Sequence, residues 1–200
     1  MSIVNDHDII RTARLVLRPL RADDDARIFE LIARWDILRF LSAPPWPYRR
    51  EDARTFVDLR TQPDPTVITS VITHDDALVG VIDAAIKPAS TAQPQRGYAI
   101  GYWLGQPYWG RGYMSEAARA FISHVFEVTG VDTIYSGAVS DNAASLRVQE
   151  KLGFVRDGEA MLYIPARRKE LPSTNTVLNG PPKFRATARP TPSTSSATRA

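Results

Sequence analysis

Gly110-Arg111-Gly112, set immediately ahead of a helical pattern, is the stretch of this 200-residue chain whose residue types and spacing point most directly to chemistry. A helix start preceded by small residues is an anion site, because unpaired N–H groups and the positive end of the helix dipole face the same place. Two glycines let the backbone come close to a phosphate, and Arg111 can add a cation at the rim. Ser115 stands where a dinucleotide fingerprint would need its third glycine, and no G-K-[ST] marks a P-loop. Taken alone, the motif reads more simply as a tight strand-to-helix turn. Glu116, in the first turn of the helix, is the best carboxylate candidate for catalysis, ahead of Tyr102 and Ser140, although a Glu there commonly serves as a cap or dipole partner. The chain has no Cys, which removes disulfides, thiolate metal sites and a Cys acyl-enzyme. His7, His74 and His124 lie far apart with neither HxH nor HExxH spacing, so no metal is expected.

These residues need elements to hold them. Alternation in Leu15 to Leu20 predicts a first strand, ended at Pro19 where a ladder donor is lost. Asp23 to Asp25 cap a helix whose Ile28, Leu31, Ile32 and Trp35 share one face. The three prolines of Ser42 to Tyr48 exclude regular structure there. A helix from about Glu51 to Arg60 precedes a hairpin, Thr66 to Thr73 and Leu78 to Ile86, joined at His74-Asp75-Asp76. After a loop over 88–95 comes a longer strand from Arg96 to about Leu104. The helix after the glycines carries the stripe Met114, Ala118, Phe121, Ile122, Val125 and Phe126, and ends near Gly130. Thr133 to Val139 reads as a strand, Asn142 to Leu152 as a helix closed by Gly153, Phe154 to Ile164 as a strand, and Thr174 to Leu178 as a short last strand. The order is that of a mixed α/β (α+β) domain.

Composition fits one soluble domain: 44% hydrophobic, 24% charged and 9% aromatic residues exclude collagen, coiled coil and wholesale disorder. The net charge of +3 has a location. Lys183, Arg185, Arg189 and Arg199 lie in 180–200 without an acid, leaving 21 basic against 22 acidic residues in 1–179. That tail, rich in Pro, Ser and Thr, is expected to be disordered, and four scattered cations make a weak footprint for nucleic acid. The charged N-terminus lacks a signal peptide's apolar run, and no stretch of roughly 18 apolar residues suggests a membrane span. A cytoplasmic protein is expected, with no membrane or nucleic-acid partner.

The block GYWLGQPYWGRGYMSEA, followed about thirty residues later by SDNAASLRVQEKLGF, resembles the GNAT superfamily of acyl-CoA-dependent N-acyltransferases. Its wording is most similar to the branch of ribosomal-protein N-terminal acetyltransferases. The likeness covers about 12–165 and is specific in 98–154, which makes 12–179 the expected acetyltransferase domain and 180–200 its tail. The resemblance implies a mixed, mostly antiparallel splayed sheet flanked by helices, with acetyl-CoA as acyl donor between two diverging strands. It further implies that backbone amides of Trp109, Gly110, Arg111, Gly112, Tyr113, Met114 and Ser115 hold the diphosphate. Trp103 and Leu104 would offer backbone groups to the pantetheine and to the thioester oxygen, where an N–H stabilises developing negative charge. Asn142 would bond the pantetheine arm, with Ser145 one turn on, although Asn is also an ordinary N-cap. Trp46 and Tyr48 would wall the acceptor site or plug the core. The implied partner is an amine, a protein N-terminus or a small molecule, and a homodimer is admitted.

Two departures bear on catalysis. Gln149 stands where many members of the superfamily carry a Tyr general acid, and Gly137 near where some carry a Glu base. An α-amine of pKa about 7.7 to 8.0 is roughly a tenth neutral at pH 7, whereas a Lys amine near 10.4 needs a stronger base, so an α-amine fits better. Direct transfer within a ternary complex is expected, deprotonation running through water. The rival reading is a non-catalytic acyl-CoA sensor, and a third is a nucleotide enzyme using the glycine turn.

Overall fold

A computed structural model describes residues 9–87 and 97–181. The predicted loop over 88–95 and all but the first two residues of the predicted tail lie outside the described residues. Among the described residues eight strands form one sheet: β1 (Ile10–Arg11), β2 (Val16–Arg18), β3 (Val67–His74), β4 (Ala77–Lys87), β5 (Gly97–Leu104), β6 (Thr133–Val139), β7 (Val155–Ile164) and β8 (Lys169–Asn179). Their order is β1-β2-β3-β4-β5-β6-β8-β7. Every neighbouring pair is antiparallel except β5 and β6. The mixed, mostly antiparallel sheet implied by the sequence is the architecture observed.

The described residues also form five helices that cover it: α1 (Asp25–Ile32), α2 (Trp35–Leu38), α3 (Arg50–Arg60), α4 (Tyr113–Thr129) and α5 (Ala143–Lys151). One hydrophobic core joins α4 to the sheet face bearing Leu17, Ile72, Ile82 and Ile100. A second core joins α1, α2 and α3 to the face bearing Val71, Val81 and Val139. All six residues of the α4 stripe are buried, as the 3.6-residue period requires of a helix laid along a sheet.

Three expectations need correction. The first strand is confined to Val16–Arg18, and a two-residue partner, Ile10–Arg11, precedes it. Trp35 does not continue the buried face of α1: the helix ends at Ile32, the chain turns, and Trp35 opens α2 with 42% of its surface exposed. The last strand is 11 residues long rather than five, because β8 pairs along its C-terminal half with β6 and along most of its length with β7. Polar residues such as Thr174 and Thr176 sit buried in it, so its alternation is chemically muted in the sequence.

Candidate active site

The glycine turn leads from β5 into α4 through a single 3-10 turn at Gln106–Tyr108. Gly110 and Gly112 adopt φ of 75° and 79°, the left-handed region that an L-residue with a branched side chain resists. Gly112 caps α4 without a side chain, so the amides of Tyr113, Met114 and Ser115 enter the helix with no cap to satisfy them. Trp109 differs: its amide bonds the Gln106 carbonyl (3.2 Å) and its indole Nε1 donates to the Leu104 carbonyl (2.8 Å). Trp109 therefore braces the turn, and the Leu104 carbonyl has a protein donor already.

Strands β5 and β6 pair only at Tyr98↔Ile134 and Ala99↔Tyr135. Ser136 Oγ donates to the Ile100 carbonyl at 3.3 Å, and beyond that point the strands diverge. A cavity of about 400 Å³ occupies the splay. The Gly110, Gly112, Tyr113, Met114 and Ser115 turn bounds it on one side, Tyr102, Trp103 and Leu104 along β5, and Asn142, Ser145, Arg147 and Lys151 at α5. Asp36, Ile37, Phe40 and Leu41 close the far end. Tyr102, Tyr113 and Met114 belong to or pack against the first core, Ile37, Phe40 and Trp103 to the second, so the cavity is lined from both faces of the sheet.

A polar chain runs beneath it. Thr176 Oγ1 donates to Gln149 Oε1 (2.8 Å), and Gln149 Nε2 donates to the Gly137 carbonyl (3.3 Å) and to Ser145 Oγ (3.2 Å). Gln149 is 1% exposed, and its amide is satisfied on both sides. Ser145 Oγ lies 3.1 Å from the Tyr102 hydroxyl, which also donates to the Ser145 carbonyl at 3.3 Å. Because Ser145 Oγ accepts from Gln149, its own proton is available for donation. Burial pushes the Tyr102 phenol up, against the opposing hydrogen bonds from Ser145 and Gln149, so it stays neutral. Asn142 caps α5 by accepting the Ser145 amide on Oδ1 (3.2 Å), which leaves its amide nitrogen unused by the cap.

Other sequence candidates fall elsewhere. Glu116 faces away from the cavity lining: Oε1 accepts the Thr12 hydroxyl (2.7 Å) and the Arg14 amide (2.9 Å), and Oε2 accepts Arg14 Nε (2.8 Å). Arg14 also donates to the Arg111 carbonyl at 3.1 Å and covers the Tyr113 ring at 4.7 Å. Neither Trp46 nor Tyr48 lines the cavity. Trp46 meets Trp35 edge-on at 5.3 Å, and Tyr48 packs against the second core, where burial and then Asp52 push its phenol up to about 12. The far wall of the cavity comes from α2 and Phe40 instead. Arg147 and Lys151 give no motif in sequence, being two ordinary cations of an amphipathic helix until α5 is folded against the splay. Among the described residues no group of three or more His, Cys, Asp or Glu could hold a metal ion.

The acetyltransferase (GNAT) domain family matches residues 14–155, and the chain belongs to that family of acyltransferases. Among curated proteins it is similar to the uncharacterized N-acetyltransferase YnaD of Bacillus subtilis, at 26% identity over 78% of this chain and 88% of the relative. It is also similar to the putative ribosomal N-acetyltransferase YdaF of the same organism, at 26% identity over 84% and 90%. Among solved structures, the Mycobacterium smegmatis RimJ complex with CoA-disulfide superimposes with a TM-score of 0.74 at 18% identity, covering 87% of this chain and 88% of that one. The RimL ribosomal L7/L12 α-N-protein acetyltransferase in complex with coenzyme A does so with a TM-score of 0.71 at 20% identity, covering 86% and 98%.

Proposed function

We propose that this chain binds acetyl-CoA in the splay and transfers the acetyl group directly to an amine that enters from the α2 side, with 12–179 as the acetyltransferase domain. The observation that carries the reading is the set of uncapped amides at Tyr113 to Ser115, behind two left-handed glycines, at the wall of a cavity that passes between β5 and β6. Three N–H groups at the positive end of a 17-residue helix suit a diphosphate. Arg147 and Lys151 add cations on the opposite wall. Structures of similar fold whose names include coenzyme A or acetyl-CoA support the donor assignment. The relative named as a putative ribosomal N-acetyltransferase, and the structure named as a ribosomal L7/L12 α-N-protein acetyltransferase, support a protein α-amine as acceptor, and with it a cytoplasmic location.

Residue roles follow from the geometry. Backbone groups of Trp103 and the Asn142 amide would hold the pantetheine arm. Ser145, oriented by Gln149, would give its proton to the departing thiolate and recover one from Tyr102. Gln149 thus replaces a phenolic acid by orienting a hydroxyl one turn earlier.

Calorimetry with acetyl-CoA, followed by coenzyme A release on a panel of N-terminal peptides, polyamines and small amines, tests the proposal. Tight binding with turnover of at least one amine supports it, and binding without turnover of any would establish the sensor reading instead. Ser145→Ala should lower kcat about ten-fold or more while leaving acetyl-CoA affinity unchanged.

A further inference from the structure

Beside the splay, on the sheet face that carries α3 and outside the residues that line the cavity, β4 carries an acid that neither donor binding nor protonation of the thiolate uses. Register pairs Asp83 of β4 with Thr69 of β3 and with Gly101 of β5, so the three side-chain positions share the sheet face that carries α3. On that face Ala99 is opposite Tyr135 at the last β5–β6 pair, and the next positions are Gly101 and Gly137. Both glycines are exposed although they lie in central strands, so side chains reach the apex of the splay on this face only from the flanking strands, Asp83 beside Gly101 and Asn175 beside Gly137. The Asp83 carboxylate leans over Gly101: a Cβ there would stand 3.0 Å from Asp83 Oδ1.

The surroundings converge on that carboxylate. Arg60, from the end of α3, holds it at 3.8 Å and is the one charged side chain set against it among the described residues. Arg60 Nε and Thr69 Oγ1 are buried with no hydrogen-bond partner. Buried polar valences of this kind are met by water or by a ligand. Neighbouring strands lie about 4.8 Å apart, so a carboxylate over Gly101 is within one water of the gap between β5 and β6.

We propose that Asp83 receives, through one water held with Thr69 and Arg60, the proton released by the acceptor amine. This rests on the acetyl-transfer reading above. The amine nitrogen forms a bond to the acetyl carbon as the carbon–sulfur bond breaks. The displaced nitrogen proton passes to water, the water's proton passes to Asp83, and the sulfur takes its proton from the Ser145 side. Asp83 discharges to solvent, since 29% of its side chain is exposed. Burial raises its carboxyl above the ordinary carboxylate range, against Arg60 and the Gly101 amide, which moves it toward the working range of a base. An acid here also favours cationic acceptors.

The test compares the native chain with Asp83→Asn and Asp83→Ala, using tripeptides with free N-termini and spermidine as acceptors. Below the carboxyl's pKa two protonations, of the amine and of Asp83, should oppose the reaction, giving log kcat/KM against pH a slope of two. Asp83→Asn should lower kcat/KM about 100-fold at pH 7 and reduce that slope to one. Acetyl-CoA affinity, measured by calorimetry, should be the same in all three chains. The ligand-free chain offers an independent readout. A carboxyl raised on folding costs stability once ionised, so Asp83→Asn should melt higher than the native chain at pH 8, and the gap should close as pH falls toward 4. A native chain that binds no acetyl-CoA or turns over no probe sinks the acetyl-transfer reading and this one with it. A turning-over native chain whose slope and rate Asp83→Asn changes less than about three-fold overturns this inference alone.

Discussion

Arg14 and Glu116, 102 residues apart, close on one another through an ion pair at 2.7 Å and a second contact from Arg14 Nε at 2.8 Å. The pair ties the turn between β1 and β2 to the first turn of α4, and the Arg14 contact with the Arg111 carbonyl extends the tie to the glycine turn itself. Glu116 is thereby structural, since it holds the residue that holds the turn.

Replacing Arg14 with Ala should therefore act on ligand affinity more than on the fold. Arg14 is nearly half exposed, so its ion pair adds little to stability in water. Loss of the bond to Arg111 and of the cover on Tyr113 loosens the Gly110 to Gly112 backbone. Calorimetry should show acetyl-CoA binding roughly ten-fold weaker, the equivalent of about one charge-assisted hydrogen bond. The melting temperature should move by a few degrees at most.

The same pair sets an acid limit. Burial alone would raise the Glu116 carboxyl, but hydrogen bonds from Thr12 and Arg14 outweigh it and hold the group below the ordinary range. A carboxyl depressed on folding stabilises the native state above its unfolded pKa of about 4.3, and that stabilisation is lost as pH falls through the lower folded value. Glu116→Gln should melt below the native chain at pH 7, and the difference should shrink when both are scanned from pH 5 downward.

Gly112→Val should abolish acetyl-CoA binding while the domain stays folded. A Cβ there would find its nearest neighbour, Arg14 Nη2, at an ordinary 3.5 Å, so crowding is not the obstacle. The obstacle is φ of 79°, which costs a branched residue about 1–2 kcal/mol or more and forces the turn into another conformation. Unchanged affinity would show that the turn is not where the diphosphate rests. Gly110→Ala, with open space around the added methyl, should weaken binding less.

Gln149→Leu should cost stability and rate together. It leaves the Gly137 carbonyl and the buried Thr176 hydroxyl without their partner, a loss of about 1–3 kcal/mol each where no water enters. It also frees Ser145 to rotate. Gln149→Glu, by contrast, should retain the acceptor for Thr176 and lose the donor to Ser145. Chemical unfolding together with kcat separates the two effects.

The parts of the fold that announce themselves in sequence are those whose burial repeats at a fixed period. The α4 stripe from Met114 to Phe126 coincides with the observed helix because one face meets the same core along its length, and the strand Thr133–Val139 coincides because its apolar run is buried toward both cores, through Ile134 and Val139. The glycine turn was legible for a different reason: two glycines before a helix name a backbone conformation as well as a composition. What stayed hidden depends on contacts across the chain. Arg14 looks like any surface cation until β1 and the turn after it lie beside α4, and Asp83 like a stray polar residue in an apolar strand until Gly101 is its neighbour. Trp46 and Tyr48, conspicuous as aromatics among prolines, pack against Trp35 and the second core respectively, while the plainer Ile37 and Phe40 face the cavity.

That the splay is walled from both sides of the sheet has a consequence for traffic. If carrier and acceptor approach from opposite sides, neither has to pass the other's doorway. A spent carrier can be exchanged while the next acceptor is already seated, and an acceptor as large as a folded domain can present its end without blocking that exchange.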